Sequence, residues 1–191
     1  LAAVAAAGGT SGAGGREPRA GRRERLFLAL WPDEEVRAAL AALAREALGK
    51  SGRRVPAENL HLTLIFLGAC DPALRARLEE AATALRGEPF VLRLERLGHW
   101  PGPRVLWSAP AEVPEALRRL AADLHGAAGG AGLSLERRPF RAHVTLARKV
   151  GGRHRERPHR PIEWPVGEFR LVASETRPEG ARYRCLRRWA L

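Results

Sequence analysis

Methionine is absent from this 191-residue chain, tyrosine occurs once, and all but two of the 33 basic residues are arginine. Cysteine is nearly absent too. Cys70 and Cys185 stand in unrelated contexts with no CxxC or other ligand spacing, which excludes a disulfide framework and fits a reducing cytoplasm. No apolar run approaches the roughly 20 residues that a membrane-spanning helix needs, so no membrane partner is expected. The basic start and longer apolar core of a signal peptide are also missing. His154 and His159 lie in an arginine-rich stretch with no Cys, Asp or Glu at ligand spacing, so neither a metal nor another cofactor is expected.

What is present is ordinary for a globular chain: 45% hydrophobic and 28% charged residues, enough length for one sizeable core. The net charge of +12 suits a polyanion such as RNA. The near-exclusion of lysine also fits a GC-rich coding sequence, which raises arginine whatever the partner, so charge alone leaves that contact open. Residues 1–24, rich in Gly, Ala and Ser, read as a flexible extension, and 25–191 as a single domain.

Within 25–191, RLFLALW predicts a strand stopped by Pro32. Asp33, Glu34 and Glu35 then open a helix with Val36, Leu40 and Leu43 on one face. Asp71-Pro72 caps a second helix through Leu74, Leu78 and Leu85. FVLRLERLG alternates as a strand, and Pro101-Gly102-Pro103 turns into a further strand, RVLWSAP. A third helix carries Leu117, Leu120 and Leu124 up to a glycine-rich break at 126–132, followed by a short strand at LSLERR. GGRHRERPHRP, 151–161, reads as a basic loop, either solvated or tracking an RNA backbone, and EFRLVASET with RYRCLRRWAL as a terminal hairpin.

Two stretches carry the chemistry. NLHLTLIFLG holds His61 and Thr63; RAHVTLARKV holds His143 and Thr145. Side chains alternate along a strand, so each His-x-Thr presents an imidazole and a hydroxyl on one face. Each follows a strand–helix unit, at nearly equal distances from the first helical glutamates, Glu34 and Glu115, which indicates duplicated strand–helix–strand units. Read alone, either motif is better explained by a core or surface histidine than by a site. Two copies in matched units favour a pair, because His and Thr are poor choices for a buried face. Two imidazoles across a cleft can divide phosphodiester chemistry: one takes a proton from the attacking oxygen, the other gives one to the leaving oxygen, while hydroxyls hold the non-bridging oxygens. Phe27, Trp100 and Trp107 read as core, with base stacking the lesser reading for Phe27; His99 and His125 have no expected catalytic task.

The pair HLTL and HVTL, together with RLFLALWP, RVLW, FRAHVTLAR and the closing SETRPEGARYRCLRRWAL, resembles the 2H phosphoesterase superfamily and within it the RNA 2′,3′-cyclic phosphodiesterase (2′-5′ RNA ligase-like) family. The resemblance spans about residues 25–191. It implies an α+β, bilobal fold of duplicated units, with two mainly antiparallel sheets around a central cleft. It also implies metal-independent hydrolysis of an RNA 2′,3′-cyclic phosphate to a 2′-phosphomonoester by a cytoplasmic monomer, with tRNA fragments among the candidate RNAs. By position, His61 matches the proton donor, His143 the acceptor, and Thr63 and Thr145 the phosphate-binding threonines. Arg148 matches a further phosphate contact, although on an ideal strand it points away from His143 and Thr145 and needs a bulge or a strand end. The alternatives are 2′-5′ ligation of tRNA halves, a different cyclic phosphate such as ADP-ribose cyclic phosphate, cleavage of 2′-5′ oligoadenylate, or a non-catalytic RNA-binding module.

Overall fold

RLFLALW lies within β1 (Glu24–Leu30) and the residue after it, an apolar run because both faces of the strand are covered. Leu26, Leu28 and Leu30 enter the main core, while Phe27 and Ala29 join Val172 in a small second cluster under Trp31 and Tyr183. The computed structural model describes residues 23–48, 52–135, 139–152, 154–177 and 180–191. The extension expected over 1–24 therefore falls, except for Arg23 and Glu24, outside the described residues.

After β1 the chain runs through α1 (Glu34–Ala47), β2 (Arg53–Arg54), a 3₁₀ turn (Ala57–Asn59), β3 (Leu62–Cys70) and α2 (Pro72–Ala84). β4 (Phe90–Trp100), β5 (Val105–Ala109), α3 (Glu115–Gly130) and β6 (Val144–Arg148) follow, then β7 (Arg157–Val166), β8 (Glu168–Arg177) and β9 (Gly180–Ala190). The first two helices start as their sequences require. The Asp33 carboxylate accepts from the Val36 amide at 2.9 Å and Asp71 from the Leu74 amide at 2.8 Å.

The strands form one nine-stranded sheet in the order β7-β4-β5-β6-β3-β1-β8-β9, with β2 added on β6. The two expected sheets are its halves, and they meet between β3 and β6 at a single antiparallel pair, Leu62 with Val144. Both side chains are fully buried. The helices exchange sides beneath this joint. α1, from the first unit, packs on β6 and β7, while α3, from the second, packs on β3 and α2.

Three sequence expectations change. β7 replaces much of the basic loop expected at 151–161: Arg157–Val166 pairs with β4 despite Pro158, Pro161 and Pro165. Proline is tolerated there because β7 is an outer strand of the sheet, and Trp164 and Val166 still bury on alternate positions. α3 continues through Gly126 to Gly130, past the expected break, because Leu124 and Ala128 keep its buried stripe going. The strand expected at LSLERR lies partly outside the described residues, and its described part, 133–135, is not a strand.

Leu62 carries the joint, so Leu62→Ala should cost about 2–5 kcal/mol in urea denaturation, the range for a buried leucine that leaves a cavity. A loss below about 1 kcal/mol would show that the two halves hold together without this contact.

Candidate active site

Burying Leu62 and Val144 on the helix side sends their neighbours to the opposite face. His61, Thr63, His143 and Thr145 all lie there, each half-buried. Continuing the antiparallel register by one residue each way sets His61 beside Thr145 and Thr63 beside His143. The two histidines are then diagonal neighbours, with Cα atoms about 7–8 Å apart. Two side chains at that spacing on one face can both reach a phosphate.

Each ring is oriented in the same way. His61 Nδ1–H donates to the Asn59 carbonyl at 2.7 Å, and His143 Nδ1–H donates to the Arg141 carbonyl at 2.7 Å. A carbonyl can only accept, so Nδ1 carries the hydrogen and each Nε2 faces the cleft. The Thr63 hydroxyl donates to His61 Nε2 at 3.1 Å.

The surroundings of the two imidazoles differ. Trp31 stacks on His61 with centroids 5.1 Å apart and planes 7° from parallel; Phe27 at 5.0 Å and the edge of Tyr183 at 5.2 Å close its other sides. Burial pushes the His61 pKa down to about 4; the Asn59 hydrogen bond opposes this, while Arg148 and His143 add to it. His143 meets the Trp100 ring edge-on at 4.6 Å, and its pKa is also lowered, first by burial and then by Arg148 and Arg141, against the Arg141 hydrogen bond. Both are therefore neutral at pH 7 in the unliganded site. Burial also raises the pKa of Tyr183, against a lowering by Arg148.

Arg148 does reach the site, through a bulge. Leu106 pairs with Ala147 but Trp107 pairs with Thr145, leaving Leu146 as the extra residue. Leu146 and Ala147 are consequently both buried, and Arg148 turns to the histidine face. β3 carries the same bulge at Leu64, between the pairs Leu28–Ile65 and Ala29–Thr63. There it brings Phe66, at the offset from His61 that Arg148 has from His143, onto the site face, where the residue is 73% exposed.

A cavity of about 280 Å³ opens on the His61 side, lined by His61, Thr145, Arg148, Arg53 and Tyr183 among others. Asn59, in its wall, holds the segment before β3 against the start of β9 by donating to the Ala181 carbonyl at 3.0 Å.

All five predicted residues thus converge on one face. Phe27 and Trp107 are core as expected, but Trp100 caps His143 rather than only filling space. His99 pairs with His154, and His159 with the buried Ser108. Among the described residues, none of the 151–161 stretch lines the cavity. Sequence reading missed Trp31, Tyr183, Arg53 and Phe66. The sole tyrosine of the chain and the matched offsets of Phe66 and Arg148 were signals available for two of them.

Comparison with known proteins agrees with this duplication. A sequence model of the family described as LigT like Phosphoesterase matches the chain twice, over 30–107 and 108–183, one HxT motif in each. The chain is 35% identical to an RNA 2′,3′-cyclic phosphodiesterase of Escherichia coli, over 88% of this chain and 97% of that protein. It is 39% identical to one of Thermus thermophilus, over 87% of this chain and 90% of that protein. The crystal structure of E. coli LigT in apo form superposes with a TM-score of 0.83 at 33% identity, covering 89% of this chain and 98% of that one. The E. coli LigT structure complexed with 3′-AMP superposes equally well, with a TM-score of 0.83 at 34% identity, over 88% and 98% of the two chains.

The aromatic wrapping of His61 has a direct spectroscopic consequence. Its imidazole resonance in the free protein should titrate near pH 4. A midpoint near the ordinary 6.5 would mean that water reaches the ring and the aromatic cage is not closed.

Proposed function

The chain belongs to the LigT like phosphoesterases, and on that footing we propose that it hydrolyses the 2′,3′-cyclic phosphate at the end of an RNA to a 2′-phosphomonoester, without a metal ion. The observation that carries the reading is the pair of imidazoles, each held through Nδ1 by a backbone carbonyl, on one face across the Leu62–Val144 joint, with Thr63 on His61 Nε2 and Thr145 on the same face.

In the proposed mechanism, His143 Nε2 takes a proton from water as the water oxygen attacks phosphorus in line with the 3′ oxygen. The P–O3′ bond breaks, and His61 Nε2–H gives its proton to O3′. The products are a free 3′-hydroxyl and a 2′-phosphate; both histidines then return to their starting states by exchange with solvent. Thr63, Thr145 and Arg148 donate to the non-bridging oxygens as charge builds there. Protonation of His61 Nε2 ends its role as acceptor from Thr63 and frees that hydroxyl for the phosphate.

The position of the cavity supports this division of labour. The ribose stays with the leaving oxygen, so the nucleoside must lie on the donor's side. The nucleotide-sized cavity adjoins His61, whereas His143 sits against Trp100, where a water needs little room. Burial of His61 opposes the charged form, but a phosphodiester anion beside it favours that form, so the acid is made when substrate binds. Both histidines come from one chain, which supports action as a monomer. Two free thiols, Cys70 and Cys185, suit the reducing cytoplasm, and RNA ends there, tRNA fragments included, are the proposed partners.

His61→Ala and His143→Ala should each lower turnover of an RNA 2′,3′-cyclic end by about 10²–10⁴-fold. Activity within tenfold of wild type in either variant would remove the two-histidine mechanism. The pH profiles should separate as well. The free site holds both pKa values low, so kcat/KM should peak at acid pH, while bound phosphate raises both pKa values and moves the kcat profile to higher pH. Coincident profiles, or a kcat profile on the acid side, would contradict the substrate-made acid.

A further inference from the structure

The cavity beside His61 reaches beyond the groups that the reaction uses. At its inner end are His61, Thr145 and Arg148; its outer part is bounded by β2 on one wall and the start of β9 on the other. Arg53 spans these walls. It stands opposite Arg148 in the β2–β6 ladder, and so shares the site face to which the Leu146 bulge turns Arg148. Its guanidinium lies against Gly180: a Cβ at that position would come within 3.3 Å of Arg53 Nη2. Gly180, the first residue of β9 at φ +141°, thus leaves the space for the guanidinium.

Arg53, Arg54, Arg148 and Arg182 line the cavity against one carboxylate among its lining residues, Glu58, so its lining favours an anion. The volume of about 280 Å³ lies at the lower end of the range for small-ligand pockets, which suits a single nucleotide. With the cyclic phosphate at the HxT pair, that nucleotide is the terminal one. Its 5′ side, where the rest of the chain begins, then leaves at the rim that Arg53 spans.

We propose that Arg53 binds the phosphodiester on the 5′ side of the terminal nucleotide, and so makes the enzyme selective for the end of an oligoribonucleotide over a cyclic mononucleotide. This rests on the cyclic phosphodiesterase reading and adds a specificity determinant to it. Arg53 touches no reacting atom; its effect falls on substrate binding.

The test compares 2′,3′-cyclic AMP with a trinucleotide ending in 2′,3′-cyclic adenylate, and with the same trinucleotide carrying a neutral methylphosphonate at its last internucleotide linkage. One charge-assisted contact corresponds to a preference of about 10–100-fold. Wild type should therefore favour the trinucleotide over cyclic AMP by about that factor in kcat/KM, through KM, and the methylphosphonate should abolish the preference. Arg53→Gln should raise KM for the charged trinucleotide toward that for cyclic AMP with little change in kcat, and Arg53→Lys should restore part of the preference. Equal kcat/KM for cyclic AMP and trinucleotide in wild type would overturn the proposal while leaving the hydrolase reading intact. So would an Arg53→Gln loss shared equally by both substrates, which marks a structural role. Cleavage of none of the substrates by wild type would overturn the hydrolase reading and this proposal with it.

Discussion

One residue pair, Leu62 against Val144, fixes the geometry on which the site depends. It is the only strand pairing between the two half-sheets among the described residues. Because strand side chains alternate, burying these two toward the helices leaves their His and Thr neighbours no other direction than the cleft. The antiparallel register then crosses the motifs, histidine beside threonine, and sets the imidazoles on a diagonal. The exchanged packing of α1 and α3 covers the joint from below, so neither half-sheet is covered by its own first helix. The burial that joins the two halves is the burial that aims the catalytic groups.

Duplication produces near-symmetry, and function depends on where the symmetry fails. Both motif strands carry a bulge one residue past the threonine, at Leu64 and Leu146, and both bulges turn a later side chain toward the site. One copy presents the aromatic ring of Phe66, the other the guanidinium of Arg148. The histidines diverge likewise. Three aromatic rings enclose His61, and a single ring edge meets His143. An in-line displacement has an entering side and a leaving side, and a site built from two equal halves would not distinguish them.

The four HxT residues were legible in the sequence because alternation is local: two residues apart on a strand means one face, whatever the rest of the chain does. The same alternation indicated that Arg148 needs a bulge or a strand end, and the structure has the bulge at Leu146. What stayed hidden is long-range or locally contradictory. β7 was masked by three prolines that only an outer strand accepts, and the end of α3 by glycines whose cost of about 1 kcal/mol each is outweighed by burial of Leu124 and Ala128. Trp31 and Tyr183 look like strand residues of no special role until β8 and β9 bring Tyr183 across β1 to His61. Arg53 is one of two adjacent arginines in an arginine-rich chain until β2 is laid along β6.

The chemistry of the product bears most directly on the two-histidine reading. An RNA ending in a 2′,3′-cyclic phosphate, incubated with the protein in EDTA, should yield a 2′-phosphomonoester and a free 3′-hydroxyl. A 3′-phosphate, or no product until a metal ion is restored, would contradict it.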